Sequence, residues 1–355
     1  MHTLIMAGGL GTRFWPKSRR EHPKHLLKIR SEKTLIQNTV NRLSPIVQQE
    51  NIFVVSTGEQ IPLIRKQLSL PSQNYIREPL GKSTAPCIGL AAVFLQKIDP
   101  DAVMAVLPAD HLILDEALFQ KTMKAGEKLA AESDSIVTIG ILPTYPATGY
   151  GYIQSENSLP PQNGIEVFDV KTFAEKPNLE TAKLFLECGD FLWNSGIFIW
   201  KIKTILAEIE KNIPVLYQGL QEISEAIGSA QQEETIDRVY RQIRSISIDY
   251  GVMEQADNVK VLKGTFGWND LGSWEELYKL GEKNEDNNVL IGSHLLEDSK
   301  GCYIDSPKRT IALLGVDDLI VVDTGDATLI CPREKAQEVK QLVELAKRKK
   351  MNTLL

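Results

Sequence analysis

A glycine-rich turn close to the N-terminus constrains the fold of this 355-residue chain more than any other stretch. The apolar run Leu4–Ala7 predicts a buried strand, and three glycines then interrupt it, at Gly8, Gly9 and Gly11. Glycine has no Cβ, so the N–H groups of such a turn can approach a ligand closely. Seven Lys or Arg and one acid occupy positions 11–30, although the net charge of the chain is −6. The stretch therefore predicts a glycine loop (residues 8–24) that binds a polyanion, above all a nucleoside polyphosphate.

Two known phosphate loops do not match the glycine loop. A Walker A loop needs Gly-Lys-Ser/Thr at a fixed distance from its first glycine, and Gly81-Lys82-Ser83 has no glycine five residues before Gly81. A dinucleotide-binding loop needs G-x-G-x-x-G, but the sixth position counted from Gly9 is Phe14. Pro16 also prevents the loop from leading straight into a helix.

The composition is that of an ordinary globular protein, with 43% hydrophobic and 24% charged residues. No apolar run approaches the ~20 residues that span a bilayer, and the N-terminus has no secretory apolar region. The acidic net charge argues against nucleic-acid binding. No C-x-x-C pair occurs, which argues against a disulfide framework or a zinc site and favours a reducing cytoplasm. We therefore expect a cytoplasmic protein that binds neither membranes nor nucleic acid.

Strand and helix patterns alternate through the first 140 residues, which predicts an α/β fold with a mostly parallel sheet. In such sheets ligands bind beyond the carboxyl ends of the strands. The strand Ala102–Leu107 leads to Asp110, and a later turn between two glycines carries Asp270. Each aspartate alone is more often a turn or capping residue. Together they offer the one or two carboxylates that Mg²⁺ prefers beside a nucleoside triphosphate.

Further polar groups follow other strands. The turn at residues 78–86 precedes a helix that Ser83 or Thr84 is expected to cap, and the same turn is a candidate contact for the nucleobase or its phosphates. Gly149, Glu175-Lys176 and Asn194 supply what a hydroxyl-rich phosphate ester needs, a cation for the phosphate and hydrogen-bonding groups for the hydroxyls. A bulge is the alternative explanation for the polar residues around Asn194. For Asp249 and Glu254, capping and salt bridging are favoured over a site role.

The pattern G-G-x-G-T-R-x-W-P-x-S-R followed by P-K resembles the signature of the sugar-1-phosphate nucleotidyltransferases. Its W-P-x-S-R part is most similar to the mannose-1-phosphate guanylyltransferases, as are T-G-Y-G-Y-I, F-x-E-K-P, W-N-S-G-I-F and W-x-D-x-G-S-W. The resemblance implies a Rossmann-like, glycosyltransferase-A-like catalytic domain at residues 1–283. It also implies a small, partly left-handed β-helical domain at residues 284–355, used for packing or dimerisation, so a homodimer is expected.

The same resemblance implies transfer of GMP from GTP to mannose 1-phosphate, giving GDP-mannose and pyrophosphate without a covalent intermediate, with Mg²⁺ as cofactor. The implied catalytic residues are Arg13 and Lys24 for the transition state and pyrophosphate, Asp110 and Asp270 for the metal, and Lys176 for the nucleophile. The implied nucleotide-binding residues are Gly8, Gly9, Gly11, Thr12, Arg13, Lys24, Glu78, Lys82, Ser83 and Thr84. The implied sugar-phosphate-binding residues are Gly149, Glu175, Lys176 and Asn194.

Two alternatives stay open at this stage. The family has Arg-Asn where this chain has Lys82-Ser83, and Lys cannot make a planar bidentate contact. A nucleotidyltransferase for another pair, such as glucose 1-phosphate with UTP or dTTP, is therefore one alternative. The other is a catalytically silent regulatory subunit that binds a nucleotide sugar. Such a subunit is expected to have lost charged site residues, whereas Arg13, Lys24 and Lys176 are present.

Overall fold

The computed structural model describes residues 1–355, which pack as two compact units built from several segments each. The first unit comprises Met1–Gly8, Gln37–Ala109 and Ile113–Trp268. The second comprises Gly9–Ile36, Asp110–Leu112 and Asn269–Leu355. All of the glycine loop except Gly8 therefore belongs to the same unit as the C-terminal segment.

The strands, in chain order, are β1 His2–Met6, β2 Ile52–Thr57, β3 Tyr75–Glu78, β4 Val103–Pro108, β5 Leu112–Ile113, β6 Ile136–Ile141, β7 Tyr152–Gln162, β8 Ile165–Ala174, β9 Phe191–Lys201, β10 Val259–Gly264, β11 Trp268–Asn269, β12 Val289–Glu297, β13 Tyr303–Leu314, β14 Leu319–Asp323 and β15 Thr328–Pro332. The α-helices are α1 Leu35–Leu43, α2 Ile61–Arg65, α3 Thr84–Ile98, α4 Glu116–Glu132, α5 Leu179–Cys188, α6 Ile202–Asn212, α7 Pro214–Ala226, α8 Gln232–Gln242, α9 Trp274–Leu280 and α10 Lys340–Arg348.

The first unit contains a nine-stranded sheet with the order β3-β2-β1-β4-β9-β6-β10-β8-β7. All of its strands except β8 and β9 run in one direction, as their parallel and antiparallel pairings require. The strands β1, β2 and β4 are mostly apolar and buried because helices cover both faces of the sheet, and Leu4 and Ile5 of β1 are fully buried. The predicted α/β fold with a mostly parallel sheet is confirmed.

Several local predictions were wrong. Neither Ser83 nor Thr84 caps α3: Ser83 makes no side-chain capping bond, and its φ of 68° departs from the extended backbone usual at that position. Thr84 instead accepts a hydrogen bond of 2.8 Å on Oγ1 from the N–H of Ile248. By contrast, Asp115 caps α4, with its carboxylate 2.9 Å from the N–H of Leu118.

The second unit contains a four-stranded sheet in the order β12-β13-β14-β15. The strands β12, β13 and β14 are parallel, so successive turns of chain stack on one another, while β14 and β15 form an antiparallel hairpin. At Gly292 (φ 93°) a Cβ would lie 1.9 Å from the carbonyl oxygen of Ser306, so only glycine fits this stacking. The strand β13 is long and continuous, and the C-terminal helix α10 is preceded by a 3₁₀ segment, Arg333–Val339.

One apolar core holds the second unit together, and it includes residues of the glycine loop. Phe14 is 1% exposed and packs on the indole of Trp274, with 5.0 Å between ring centroids. Tyr303, Ile320 and Val339 belong to the same core. In the chain as a whole, no helix combines the length and the apolar character that crossing a membrane requires.

Candidate active site

The glycine loop is folded tightly against Lys24. Gly11 has a φ of 68°, and a Cβ there would lie 2.2 Å from the Cβ of Lys24, so the loop requires glycine at this position. The N–H of Lys24 donates to the carbonyl oxygen of Leu10 at 3.2 Å, and the N–H of Phe14 donates to that of Gly11 at 2.9 Å. These bonds fix the backbone around Thr12, which begins a single 3₁₀ turn.

Lys24 connects the two aspartates that the sequence singled out. Its Nζ lies 2.8 Å from Oδ2 of Asp110 and donates a 2.7 Å hydrogen bond to the carbonyl oxygen of Asp270. Burial alone would raise the pKa of the Asp110 carboxyl, but the ammonium of Lys24, assisted by His111, holds that pKa below its usual value. Asp110 is therefore ionised at neutral pH, and the site already holds one cation.

The turn that carries Asp270 is shaped by its neighbours. Oδ1 of Asn269 accepts the N–H of Leu271 at 2.7 Å, and Nδ2 of Asn269 donates to Oε2 of Glu276 at 2.9 Å. A Cβ on Gly272 would lie 3.1 Å from both carboxylate oxygens of Asp270, so glycine leaves room for that side chain. Ser273 occupies the N-cap position of α9 without making a side-chain capping bond.

These donors fit a divalent metal. A hard cation such as Mg²⁺ is typically bound by one or two carboxylates and completes its shell with water and phosphate oxygens. Asp110 and Asp270 can supply that number: the ammonium of Lys24 contacts the carboxylate of Asp110 and the backbone carbonyl of Asp270, so both residues lie beside it. No group of three or more His, Cys, Asp or Glu side chains in the chain is arranged to hold a metal by itself.

Arg13 differs from three of the other cations of the glycine loop. Its guanidinium is exposed and has no carboxylate partner, whereas Lys17, Arg19 and Lys24 each form an ion pair. An unpaired guanidinium beside a glycine turn is available to a phosphate.

Sequence reasoning missed His25. It is 2% exposed, and burial lowers its pKa to about 4 even though Asp110 opposes that shift. A neutral imidazole therefore lies close to the charged carboxylate and to Lys24. Its position next to Lys24 in the sequence was the available signal, but an isolated His after Pro-Lys indicates no particular chemistry.

The first unit brings together a second group of polar side chains. Lys176 is paired with the carboxylate of its neighbour Glu175, and the Lys176 backbone is left-handed at φ 50°. A Cβ on Gly151 would lie 2.4 Å from Oε2 of Glu175 and 3.4 Å from the Cβ of Asn194. The glycine that packs against this group is therefore Gly151, which the sequence did not single out, whereas a Cβ on Gly149 would meet nothing within 4 Å.

Asp249 belongs to this second group, although capping or salt bridging was favoured for it. Its Oδ1 accepts a 2.8 Å hydrogen bond from Nδ2 of Asn194. Burial and then the nearby charge of Glu175 raise the pKa of Asp249 to about 6. Burial and Glu175 likewise raise the pKa of Glu254. Crowded carboxylates beside one lysine are suited to accept hydrogen bonds from hydroxyl groups.

The turn after β3 is built on Glu78, which is 4% exposed. Its Oε1 accepts the N–H of Lys82 at 3.4 Å, and burial raises its pKa to about 7. Gly8 lies close by, because a Cβ there would be 3.9 Å from Oε2 of Glu78. Lys82 and Ser83 lie at the end of this turn, directly before α3, and Ser83 is exposed.

Comparison with known proteins agrees with this architecture. The family described as Nucleotidyl transferase matches residues 2–287, and the MannoseP isomerase/GMP-like beta-helix domain matches residues 292–345. The match to the second family agrees with the stacked β-strands of the second unit.

Two curated relatives are named mannose-1-phosphate guanylyltransferase. The protein from Salmonella muenchen is 37% identical over 98% of this chain and 74% of its own length. The protein from Escherichia coli is 36% identical over 96% of this chain and 74% of its own length. A crystal structure from Thermus thermophilus, described as a mannose-1-phosphate geranyltransferase, has a TM-score of 0.86 and 32% identity, covering 98% of this chain and 99% of that one. The chain belongs to the nucleotidyl transferase family, in the group whose curated members are mannose-1-phosphate guanylyltransferases.

Proposed function

We propose that the chain transfers GMP from GTP to mannose 1-phosphate and releases pyrophosphate and GDP-mannose. One observation carries the proposal beyond family membership: a single ammonium contacts Asp110 and Asp270 directly behind the glycine turn. This arrangement is suited to neutralise a triphosphate and a metal ion together. The names of the Salmonella and Escherichia coli relatives supply the identity of the substrates.

The reaction needs no general base from the protein. The attacking oxygen belongs to a phosphate monoester that already carries about −1.5 to −2 charges at neutral pH. The obstacle is the approach of one anion to the α-phosphorus of another, so catalysis rests on positioning and on charge neutralisation. We assign Arg13 and Lys24 to the transition state and to the departing pyrophosphate, with Gly9, Gly11 and Thr12 as backbone contacts for the nucleotide phosphates.

We assign the metal to Asp110 and Asp270 and propose that it is Mg²⁺. Bound there, Mg²⁺ supplies neutralisation of the α-phosphate and the incoming phosphate. With Asp110 and Asp270 holding the metal, the ammonium of Lys24 would be available to phosphate oxygens. Losing one such group typically costs about 10²-fold or more in turnover.

We assign the sugar phosphate to the second group of side chains. Lys176 orients the nucleophilic phosphate, while Glu175 and Asn194, with Gly149, contact the sugar hydroxyls. To these we add Asp249, because its carboxylate is bonded to Asn194. We assign Gly8, Glu78, Lys82, Ser83 and Thr84 to the nucleotide, with Glu78 acting by holding the Lys82 turn. We further propose a catalytic domain at residues 1–283, a β-helical domain at residues 284–355, a homodimer and a cytoplasmic location.

The test supplies mannose 1-phosphate, Mg²⁺ and each of the four ribonucleoside triphosphates separately, and measures pyrophosphate release. We expect release with GTP to exceed that with the other three. Asp110→Asn serves as the inactive control, and Asp257→Asn, which changes an exposed carboxylate of the first unit, as the matched active one. Equal release with all four nucleotides would refute guanine selectivity. GTP binding without any pyrophosphate release would favour the silent regulatory subunit.

One observation leaves room for a different pair of substrates. Lys82 and Ser83 replace the Arg-Asn pair of the family, and the carbonyl of Lys82 is held by the N–H of Ile246 at 3.2 Å. The backbone of the turn is therefore fixed, while its side chains differ from the family pattern. Faster release with UTP or dTTP and glucose 1-phosphate than with GTP and mannose 1-phosphate would establish the other substrate pair.

A further inference from the structure

The middle of the glycine loop, Trp15–Arg19, has no role in the reaction proposed above. Its side chains contact the C-terminal part of the chain. Trp15 donates from Nε1 to the carbonyl oxygen of Leu354 at 2.9 Å, and Lys17 is paired with Asp305 at 2.5 Å. Asp305 is 3% exposed, so this ion pair reaches into the core of the second unit.

Arg19 makes the most extensive of these contacts. Its Nη1 and Nη2 donate to the two carboxylate oxygens of Asp326 at 2.9 and 3.1 Å. Nη1 also donates to the carbonyl oxygen of Thr353 at 3.0 Å, and Nε to that of Pro16 at 2.9 Å. The hydrogen bonds from Arg19 are the main cause that lowers the pKa of the Asp326 carboxyl. A planar, bidentate contact of this kind fixes orientation as well as distance.

These contacts lie next to the catalytic half of the loop. Oγ of Ser18 donates to the carbonyl oxygen of Gly11 at 2.6 Å, which ties the start of the turn to its end. The indole N–H of Trp274 donates to the carbonyl oxygen of Trp15 at 3.0 Å. The backbone is therefore held on both sides of Arg13, whose own side chain has no carboxylate to fix it.

We infer that Asp326 and the C-terminal turn Asn352–Leu354 are positioning residues for Arg13. They hold Arg19 and Trp15, and through them they hold the turn from which Arg13 reaches the substrate phosphates. The inference rests on the proposed function for the part that concerns turnover. The part that concerns the loop itself does not depend on it.

If Asp326 served only to stabilise the fold, its loss would lower the melting temperature and leave kcat unchanged. The Asp326 side chain is 55% exposed, and exposed ion pairs contribute little to folding stability. Loss of this carboxylate should therefore leave the melting temperature almost unchanged. A misplaced catalytic group, by contrast, can reduce the rate strongly even when the displacement is small.

The first experiment compares the full-length protein with Asp326→Asn, and with a second variant that lacks Asn352–Leu355. The matched control is Glu222→Gln, which removes the carboxylate from an exposed ion pair with Arg238 in the first unit. Limited trypsin digestion reports on the loop, because the loop contains Arg13, Lys17, Arg19, Arg20 and Lys24 as cleavage sites. We expect cleavage within residues 13–24 to accelerate about fivefold or more in both variants and to stay unchanged in the control.

The second experiment measures kcat and KM for each substrate. We expect kcat to fall about tenfold in both variants while KM for mannose 1-phosphate changes less than twofold, because Lys176 and Asn194 lie in the first unit. Unchanged digestion together with unchanged kcat would overturn the inference, and so would faster digestion with unchanged kcat. If the unmodified protein releases no pyrophosphate, the proposed function fails. The positioning role is then tested by measuring GTP binding instead of kcat. Weaker GTP binding in both variants supports the positioning role, and equal binding overturns it.

Discussion

The ammonium nitrogen of Lys24 lies 2.8 Å from Oδ2 of Asp110, in a side chain that is only 9% exposed. The same nitrogen bonds the carbonyl oxygen of Asp270, 246 positions further along the chain. A buried ammonium needs an anionic partner, and a partly buried carboxylate needs a cation, so the pair is mutually required. Lys24 and Asp110 therefore form one electrostatic pair, in which a change to either residue should affect the other, while the backbone of Asp270 is bonded to the same ammonium.

We predict that Lys24→Met reduces turnover by about 10²-fold or more, because the proposed role of the Lys24 ammonium is to stabilise the departing pyrophosphate. It should also raise the pKa of Asp110, which Lys24 now holds low. A lowered carboxyl pKa stabilises the fold above the unfolded-state pKa near 4, and this contribution is lost as the pH falls through the folded-state value. The variant should therefore melt below the unmodified protein at pH 6–8, and the difference should shrink below pH 4.

Pyrophosphate release and melting curves between pH 3.5 and 8 measure both effects. Lys211→Met is the control, because Lys211 forms an exposed ion pair with Asp257 and neither residue is assigned to the proposed site. A constant difference in melting temperature across that pH range would contradict the proposed coupling between Lys24 and Asp110.

The dependence of turnover on Mg²⁺ concentration should change when a proposed carboxylate ligand is removed. We predict that Asp270→Asn raises the Mg²⁺ concentration for half-maximal turnover and lowers the maximal rate by about 10²-fold or more, because one charged ligand is lost. The measurement is a Mg²⁺ titration of pyrophosphate release at fixed GTP. Asp286→Asn, which changes an aspartate of the polar segment before β12, should leave the titration curve unchanged. A normal Mg²⁺ dependence in Asp270→Asn would remove this residue from the metal site.

The sequence predicted the parts of the site that depend on short motifs. The glycine loop, the aspartate after β4 and the aspartate before α9 were recognisable because each combines turn residues with a charged group at the end of an element. Gly11 was interpreted only as a phosphate contact, yet its close approach to Lys24 is the stronger constraint. Such a constraint depends on a contact between two segments of the loop, which local sequence does not reveal.

Asp249 and Gly151 illustrate a different difficulty. Both belong to the first-unit group, but Asp249 lies in a five-residue π-helical turn, Asp249–Met253, where a carboxylate normally suggests capping. Its role appears only when β9 brings Asn194 alongside it. The cap at Ser83 failed for the opposite reason: the residue type was right, but the left-handed φ of 68° is not the extended backbone from which an N-cap side chain bonds the helix N–H groups.

The two glycines of the T-G-Y-G-Y-I segment should respond differently to alanine. A Cβ at Gly151 would lie 2.4 Å from Oε2 of Glu175, so Gly151→Ala should displace that carboxylate, lower the melting temperature and raise KM for mannose 1-phosphate about tenfold. A Cβ at Gly149 meets nothing, so Gly149→Ala should leave the melting temperature unchanged. A raised KM in Gly149→Ala would then report direct approach of the sugar to that backbone. Equal melting temperatures for both variants would contradict the packing at Gly151.

Asp249 should make both stability and substrate binding depend on pH near 6. Burial and the charge of Glu175 raise its pKa to about 6, so the folded state binds a proton that the unfolded state has released. Stability should therefore fall as the pH rises from about 4 to about 6 and stay level above that range. Asp249→Asn removes the charge and can still accept the hydrogen bond from Asn194 through its amide oxygen. The variant should consequently melt about 2 °C or more above the unmodified protein at pH 8, and no higher at pH 4.

The KM of Asp249→Asn for mannose 1-phosphate should be higher than that of the unmodified protein and should no longer change near pH 6, because the ionised carboxylate is the better acceptor for a sugar hydroxyl. Scanning fluorimetry and initial rates at pH 4–8 measure the two effects. Equal melting temperatures at pH 8 would show that ionised Asp249 is not under strain in the folded protein.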